Sequence, residues 1–276
     1  MNGLYDKIKN RPKEEIKSFI MEALAILKME CGEPINVGFN NESNISFNHG
    51  FIPFDSRVTF DVSSSKTYLV KNTEVYYEFA EFISKMDVSN VVDFINYLYD
   101  YIVQFFGISI SNDDKRDEYF DTVAFQTSSS DDDYYDKLNS MDLCDLKSKG
   151  IAMSSERAIL GENIMILFGI DSYLCFGVLG HGESSQPYAF NIISFDDNNY
   201  IVDFYSAISI IDNDKVVGYK PFIYNISDSE FESVLSDYSV ISCNDYEIQN
   251  NNKVSKEIYR RYSVGTYRKS KNKGVL

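Results

Sequence analysis

Apolar residues recur at three and four positions from Pro12 to Met29, where Ile16, Phe19, Ile20, Ala23, Leu24 and Leu27 make one stripe. That spacing predicts an amphipathic helix, with Pro12 near its first turn and the run CGEPIN closing it. Between Val37 and Val70 the pattern changes. The short segments NISF, RVTFDV and KTYLV carry β-branched and aromatic residues and are broken by Asn, Gly and Ser, which predicts a small antiparallel sheet or ribbon. Two further helices are predicted at about Glu74 to Met86 and Val88 to Phe106, the second capped by Asp87 or Ser89 and ended by Gly107.

The stretch from Ser111 to Lys149 is charge-dense and poor in aliphatic residues, and reads as an acidic polar connector. Its run Asp131, Asp132, Asp133 lacks the spaced ligands of a calcium loop and reads as a solvated charge run, so no metal site is expected. After Ser154 the segment AILGENIMILFG is apolar on almost every side, as in a helix buried all round, and Gly169 ends it. Strands come next at about Ser172 to Leu179, Tyr188 to Phe195 and Tyr200 to Tyr205, the last two joined by the turn residues DDNN at Asp196 to Asn199. Further strands near Ala207 to Ile211 and Val216 to Tyr219, then a helix from about Asp228 to Leu235, complete an α+β reading.

Composition narrows the class. The chain has 276 residues, 44% hydrophobic and 15% aromatic, enough to bury a sizeable core. A net charge of −16 argues against nucleic acid or an anionic membrane as partner. Lys253, Lys256, Arg260, Arg261, Arg268, Lys269, Lys271 and Lys273 make residues 253–276 a basic tail on an acidic body. The cysteines, Cys31, Cys144, Cys175 and Cys243, are too far apart to suggest a zinc site or a disulfide framework. No apolar run spans a bilayer and Met1 to Glu15 has no signal core, so a cytoplasmic protein is expected, and nothing points to a cofactor.

The candidate chemistry lies between Gly150 and Ser206. A nucleophile at a helix N-terminus gains from the unpaired amides and dipole there, and neighbouring strands can supply a base and an orienting carboxylate. Ser154 opens the buried helix, and the strands PYAFNII and NYIVDF bring Tyr188 and Asp203 to comparable positions.

These residues resemble the transglutaminase-like superfamily, whose core is related to papain-like cysteine proteases. SERA at Ser155 to Ala158 resembles the residues just after the family's nucleophilic Cys, YAFNII resembles its His-bearing strand with Tyr188 in the His position, and YIVDF carries Asp203 as third member. The resemblance covers about a fifth of the chain. It implies a buried helix packed on an antiparallel sheet, acting on peptides or glutamine side chains, with the Cys and His positions replaced by Ser154 and Tyr188. A hydroxyl is a poorer nucleophile than a thiolate, and a phenol of ordinary pKa near ~10 does not accept its proton. An engineered change and natural degeneration both fit Ser154, and the Tyr in the His position favours the second. His181, in the loop GHGESSQP, reads either as a recruited base or as a solvated loop histidine. Ser154 also suits a plain helix cap, and Cys175 a buried structural thiol.

The expectation is therefore an N-terminal helical and β region over 1–110, the connector over 111–149, a transglutaminase-like core over 150–252 and the tail. The core is expected to bind a peptide or protein ligand at a degenerate site. The rival expectation is a hydrolase or acyl-transferase with its nucleophile at Ser154, and a third assigns the function to the N-terminal half.

Overall fold

In α2 (Lys13–Cys31), Ile16, Ile20 and Leu24 are buried, one per turn along the stripe that its sequence shows. The computed structural model describes residues 3–38, 47–59, 67–70, 73–107, 140–143, 152–179, 186–213, 215–235, 240–249 and 253–264. Ahead of α2 lies the short α1 (Leu4–Ile8), and α3 (Glu74–Ile83) and α4 (Val91–Phe106) come after it. The cap of α4 is Asn90, not Asp87 or Ser89: its side chain accepts from the Asp93 amide at 2.9 Å. Gly107 ends the helix in a left-handed conformation, φ 86°, which glycine adopts without a Cβ clash.

The small sheet is mixed, which corrects the antiparallel expectation. Its strands, β1 (Asn36–Gly38), β3 (Arg57–Thr59), β4 (Thr67–Leu69) and β5 (Ser140–Asp142), lie in the order β1-β3-β4-β5. Only β3 and β4 pair antiparallel; β1 with β3 and β4 with β5 are parallel. The strand β5 comes from within the stretch expected to be connector, a non-local pairing with no local signature. The end of NISF leaves this sheet altogether, because β2 (Phe47–His49) pairs with β6 (Asp171–Leu179).

The larger sheet contains β6, β7 (Gln186–Phe195), β8 (Asn198–Asp212), β9 (Lys215–Ile226), β10 (Val240–Gln249) and β11 (Lys253–Val264). Asp196 and Asp197 both have positive φ, 48° and 58°, so the β7–β8 hairpin turns on two left-handed residues and Asn198 and Asn199 already belong to β8. β8 carries a register shift between Asp203 and Ile208. Before the shift it pairs with β7, and beyond it with β10 in parallel through Ile210 and Ile211. β10 pairs with β11, and β11 returns to β6. The pairings thus close a ring, β6-β7-β8-β10-β11, with β9 added to β8 and β2 to β6. The first half of the expected basic tail is strand β11 of this ring, and residues 265–276 lie outside the described residues.

Two buried clusters form on the two faces of these strands. One fills the ring with Cys175, Tyr188, Phe190, Ile192, Ile201, Ile208, Phe222, Cys243 and Tyr262, beside Val234 of α6 (Asp228–Leu235). The other lies outside the ring, and runs unbroken from Tyr5 and Ile8 through α3 and α4 to Val202 and Phe204. The N-terminal region and the site-bearing region therefore share one core.

At the centre of that outer core is α5 (Ser154–Leu167), in which every residue but Ile166 is buried, as its apolar sequence predicts. Its polar residues serve its neighbours. Asn163 pairs with the Ile52 main chain in both directions, accepting its N–H at 2.7 Å and donating to its carbonyl at 3.1 Å, and also donates to Tyr76 Oη at 2.9 Å. No described helix is long and apolar enough to cross a membrane.

Gly161 sets the distance between α5 and β8. A Cβ there would collide with Cε2 of Phe204, a ring that is itself buried. Gly161→Ala is expected to destabilise the fold by about 1–3 kcal/mol, because overpacking outweighs the ~1 kcal/mol that alanine gains in helix propensity. The midpoint of urea unfolding measures it, and an unchanged or raised midpoint contradicts the close packing.

Candidate functional site

Ser154 is the first residue of α5 and is buried. Its Oγ accepts from the Ala189 amide of β7 at 3.3 Å. The helix start is closed by Glu156, whose Oε2 accepts from the Met153 amide and from Ser155 Oγ, both at 2.8 Å. A carboxylate on the third residue of a helix complements the positive end of its dipole.

Tyr188 and Asp203 lie on adjacent strands and meet. The Tyr188 hydroxyl donates to both carboxyl oxygens of Asp203, at 3.0 Å to Oδ1 and 2.9 Å to Oδ2. Two further donors converge on the same group: Tyr262 Oη reaches Oδ2 at 2.8 Å, and the Tyr205 amide reaches Oδ1 at 2.9 Å. Asp203 has no exposed surface and Tyr188 is 2% exposed. The Tyr188 ring also packs edge-on against Tyr205 and lies near Tyr262, with centroids 6.1 and 6.3 Å away.

The structure brings Tyr188 and Asp203 together and brings Ser154 to the main chain of the same strand from the other face. Alternate residues of a strand point to opposite faces. Tyr188 belongs to the cluster inside the ring and Ala189 to the cluster around α5. Among the described residues, no hydrogen bond joins Ser154 to the Tyr188 phenol or the Asp203 carboxyl. His181, the Asp131 to Asp133 run and Cys144 lie outside the described residues. Cys175 is fully buried inside the ring, and burial pushes its pKa well above the usual thiol range, which keeps it protonated and unreactive.

Four residues near these positions were not singled out by the sequence. Tyr262 lies on β11, in a stretch whose dense positive charge hides a period-two pattern of Val254, Ile258, Tyr262 and Val264. Arg157, on α5, donates from Nη2 to the Gly107 carbonyl at 2.7 Å and so caps the C-terminus of α4, with its guanidinium over the rings of Phe106 and Tyr205. Burial lowers its pKa from the usual arginine value, and it in turn opposes the rise of Tyr99, which burial pushes up to about 12. Glu162 and Asn191 form a polar pair between α5 and β7.

An open groove of about 500 Å³ lies at the other end of α5, lined by Leu4, Ala23, Leu27, Ile166 and Phe195, with Asp196 at its edge. Among the described residues, no group of three or more His, Cys, Asp or Glu side chains is placed to hold a metal ion. Compared with known proteins, the chain matches no family model, no curated protein and no solved structure.

The donors around Asp203 form one network, and Ser154 is outside it. Tyr188→Phe and Tyr262→Phe are each expected to cost about 1–3 kcal/mol, because a buried acceptor is left short of a donor. The two should be coupled by ~0.5 kcal/mol or more in a double-mutant cycle, whereas Ser154→Ala and Tyr188→Phe should add within ~0.5 kcal/mol. Denaturant unfolding of the single and double variants measures both, and strong coupling of Ser154 to Tyr188 would place the serine within the network.

Proposed function

We propose that this chain is a catalytically degenerate domain of the transglutaminase-like type that acts by binding a peptide or protein. One observation carries the reading. Tyr188 and Asp203 pair across adjacent strands as a base and its orienting carboxylate would, but the group in the base's place is a phenol whose proton is engaged by Asp203. A serine hydroxyl attacks only when a neighbouring group takes its proton. The partner of Ser154 Oγ is an amide N–H, a donor that cannot accept one.

The class of ligand comes from the resemblance, since members with the full set of reactive groups act on peptides or glutamine side chains. Binding needs none of the missing groups. It needs only that the helix and strands keep their relative positions, which the buried contacts of α5 and the donors on Asp203 support.

The expected result with a fluorophosphonate probe is no labelling of Ser154. Fluorophosphonate labelling that Ser154→Ala abolishes would establish the rival hydrolase.

A further inference from the structure

Glu162 sits midway along α5 with no exposed surface, facing β6 and β7. Its Oε2 accepts two hydrogen bonds, one from Ser172 Oγ on β6 and one from Asn191 Nδ2 on β7 at 3.0 Å, while Oε1 has no hydrogen-bond partner. Asn191 shows the matching asymmetry. Its Nδ2 also donates to the Ala158 carbonyl at 3.1 Å, and its Oδ1 has no partner. The Ala158 carbonyl can only accept, so it fixes which end of the amide is nitrogen. Two planar forks are thus joined through one atom of each, and the second atom of each is a buried oxygen with nothing to bind. Native interiors rarely leave such atoms unsatisfied.

We propose that Glu162 and Asn191 form a buried acid–amide pair, in which Oε1 carries a proton and donates it to Asn191 Oδ1 beside the observed bond from Nδ2 to Oε2. A single proton then satisfies both oxygens. The division of labour within the carboxyl fits a neutral acid: Oε2, as the carbonyl oxygen, has two lone pairs and accepts twice, and Oε1, as the hydroxyl, donates. The pair links α5 to β7, and the Ser172 bond extends the link to β6, so the proton fastens the buried helix to two strands of the ring.

The surroundings favour the neutral form. Burial pushes Glu162 up to about 8, against the opposing effect of the hydrogen bonds from Ser172 and Asn191. The titratable groups that act on it through space are Asp171, Tyr173 and Cys175, all on the face of β6 turned away from α5 and none a cation, and β7 meets it with the neutral Asn191. Because the folded value lies above the ordinary 4.5, the folded chain binds one more proton than the unfolded chain between those two pH values. Stability therefore falls as pH rises through that window and levels off above it.

Glu162→Gln provides the test, since a glutamine can donate from Nε2 to Asn191 Oδ1 and accept at Oε1 without titrating. Relative to that variant, the folded-to-unfolded ratio of the natural chain is expected to fall about tenfold per pH unit across the window. Infrared spectra of chain carrying carbon-13 glutamate should show a protonated-carboxyl band at neutral pH that fades as the pH is raised to about 10. Glu162→Gln should lack it. The band reports on the natural chain even if the variant does not fold. Parallel pH profiles for the two proteins, or no protonated-carboxyl band at neutral pH, would overturn the proposal; the second result would mean an ionised Glu162 whose free oxygen is met by water.

Discussion

The carboxyl of Asp203 is the point at which three strands of the ring are tied together. It belongs to β8, and its donors come from β7 through Tyr188, from β11 through Tyr262 and from the Tyr205 amide beyond it on its own strand. A buried carboxyl is costly to desolvate, and the cost is offset only when its oxygens are met by donors. Here one of the donors comes from a strand that is no ladder neighbour of the carboxyl, since β11 pairs with β6 and β10 and not with β7 or β8. The same carboxyl holds the turn of chain where β8 shifts register, the shift after which β8 changes partner from β7 to β10. Ring closure and the satisfaction of Asp203 are therefore one structural requirement.

The outer face obeys a related constraint. A helix buried on every side has no water for its polar side chains, so each must find a partner in the protein. In α5 the four largest polar residues are directed to different neighbours: Glu156 to the helix's own start, Arg157 to the end of α4, Glu162 to β6 and β7, and Asn163 to the main chain at Ile52. This spread explains why the N-terminal helices and the ring share a core. Gly161 completes the arrangement by letting the helix backbone lie directly on Phe204.

The elements with local signatures were legible in the sequence. The amphipathic stripe of α2, the all-round apolar pattern of α5, the turn at Asp196 and the helix at Asp228 are each written in spacing or turn chemistry, and each stands close to its expected position. The Tyr188 and Asp203 meeting was expected from a resemblance in order and spacing. What escaped was non-local. The parallel partners β4 and β5 lie far apart in the chain, and nothing at either segment names the other. Tyr262 lies 59 positions beyond the carboxyl it serves, in a segment where the charge of its neighbours masks the alternation of a strand. The face that a side chain takes is also set by pairing: Tyr188 points into the ring because of the register of β7, and this parts its phenol from the serine on α5.

The order of the strands along the chain has a consequence for biosynthesis. β6, β7 and β8 emerge from a ribosome as a consecutive meander able to pair at once, but the segment that seals the cylinder, Lys253–Val264, is made after all of its partners. Until it arrives, the edges of β6 and β10 that it will cover are bare, and bare edges invite pairing with other nascent chains. The positive charges along Lys253, Lys256, Arg260 and Arg261 then suit a late strand well, because a charged segment remains soluble while it waits to be inserted.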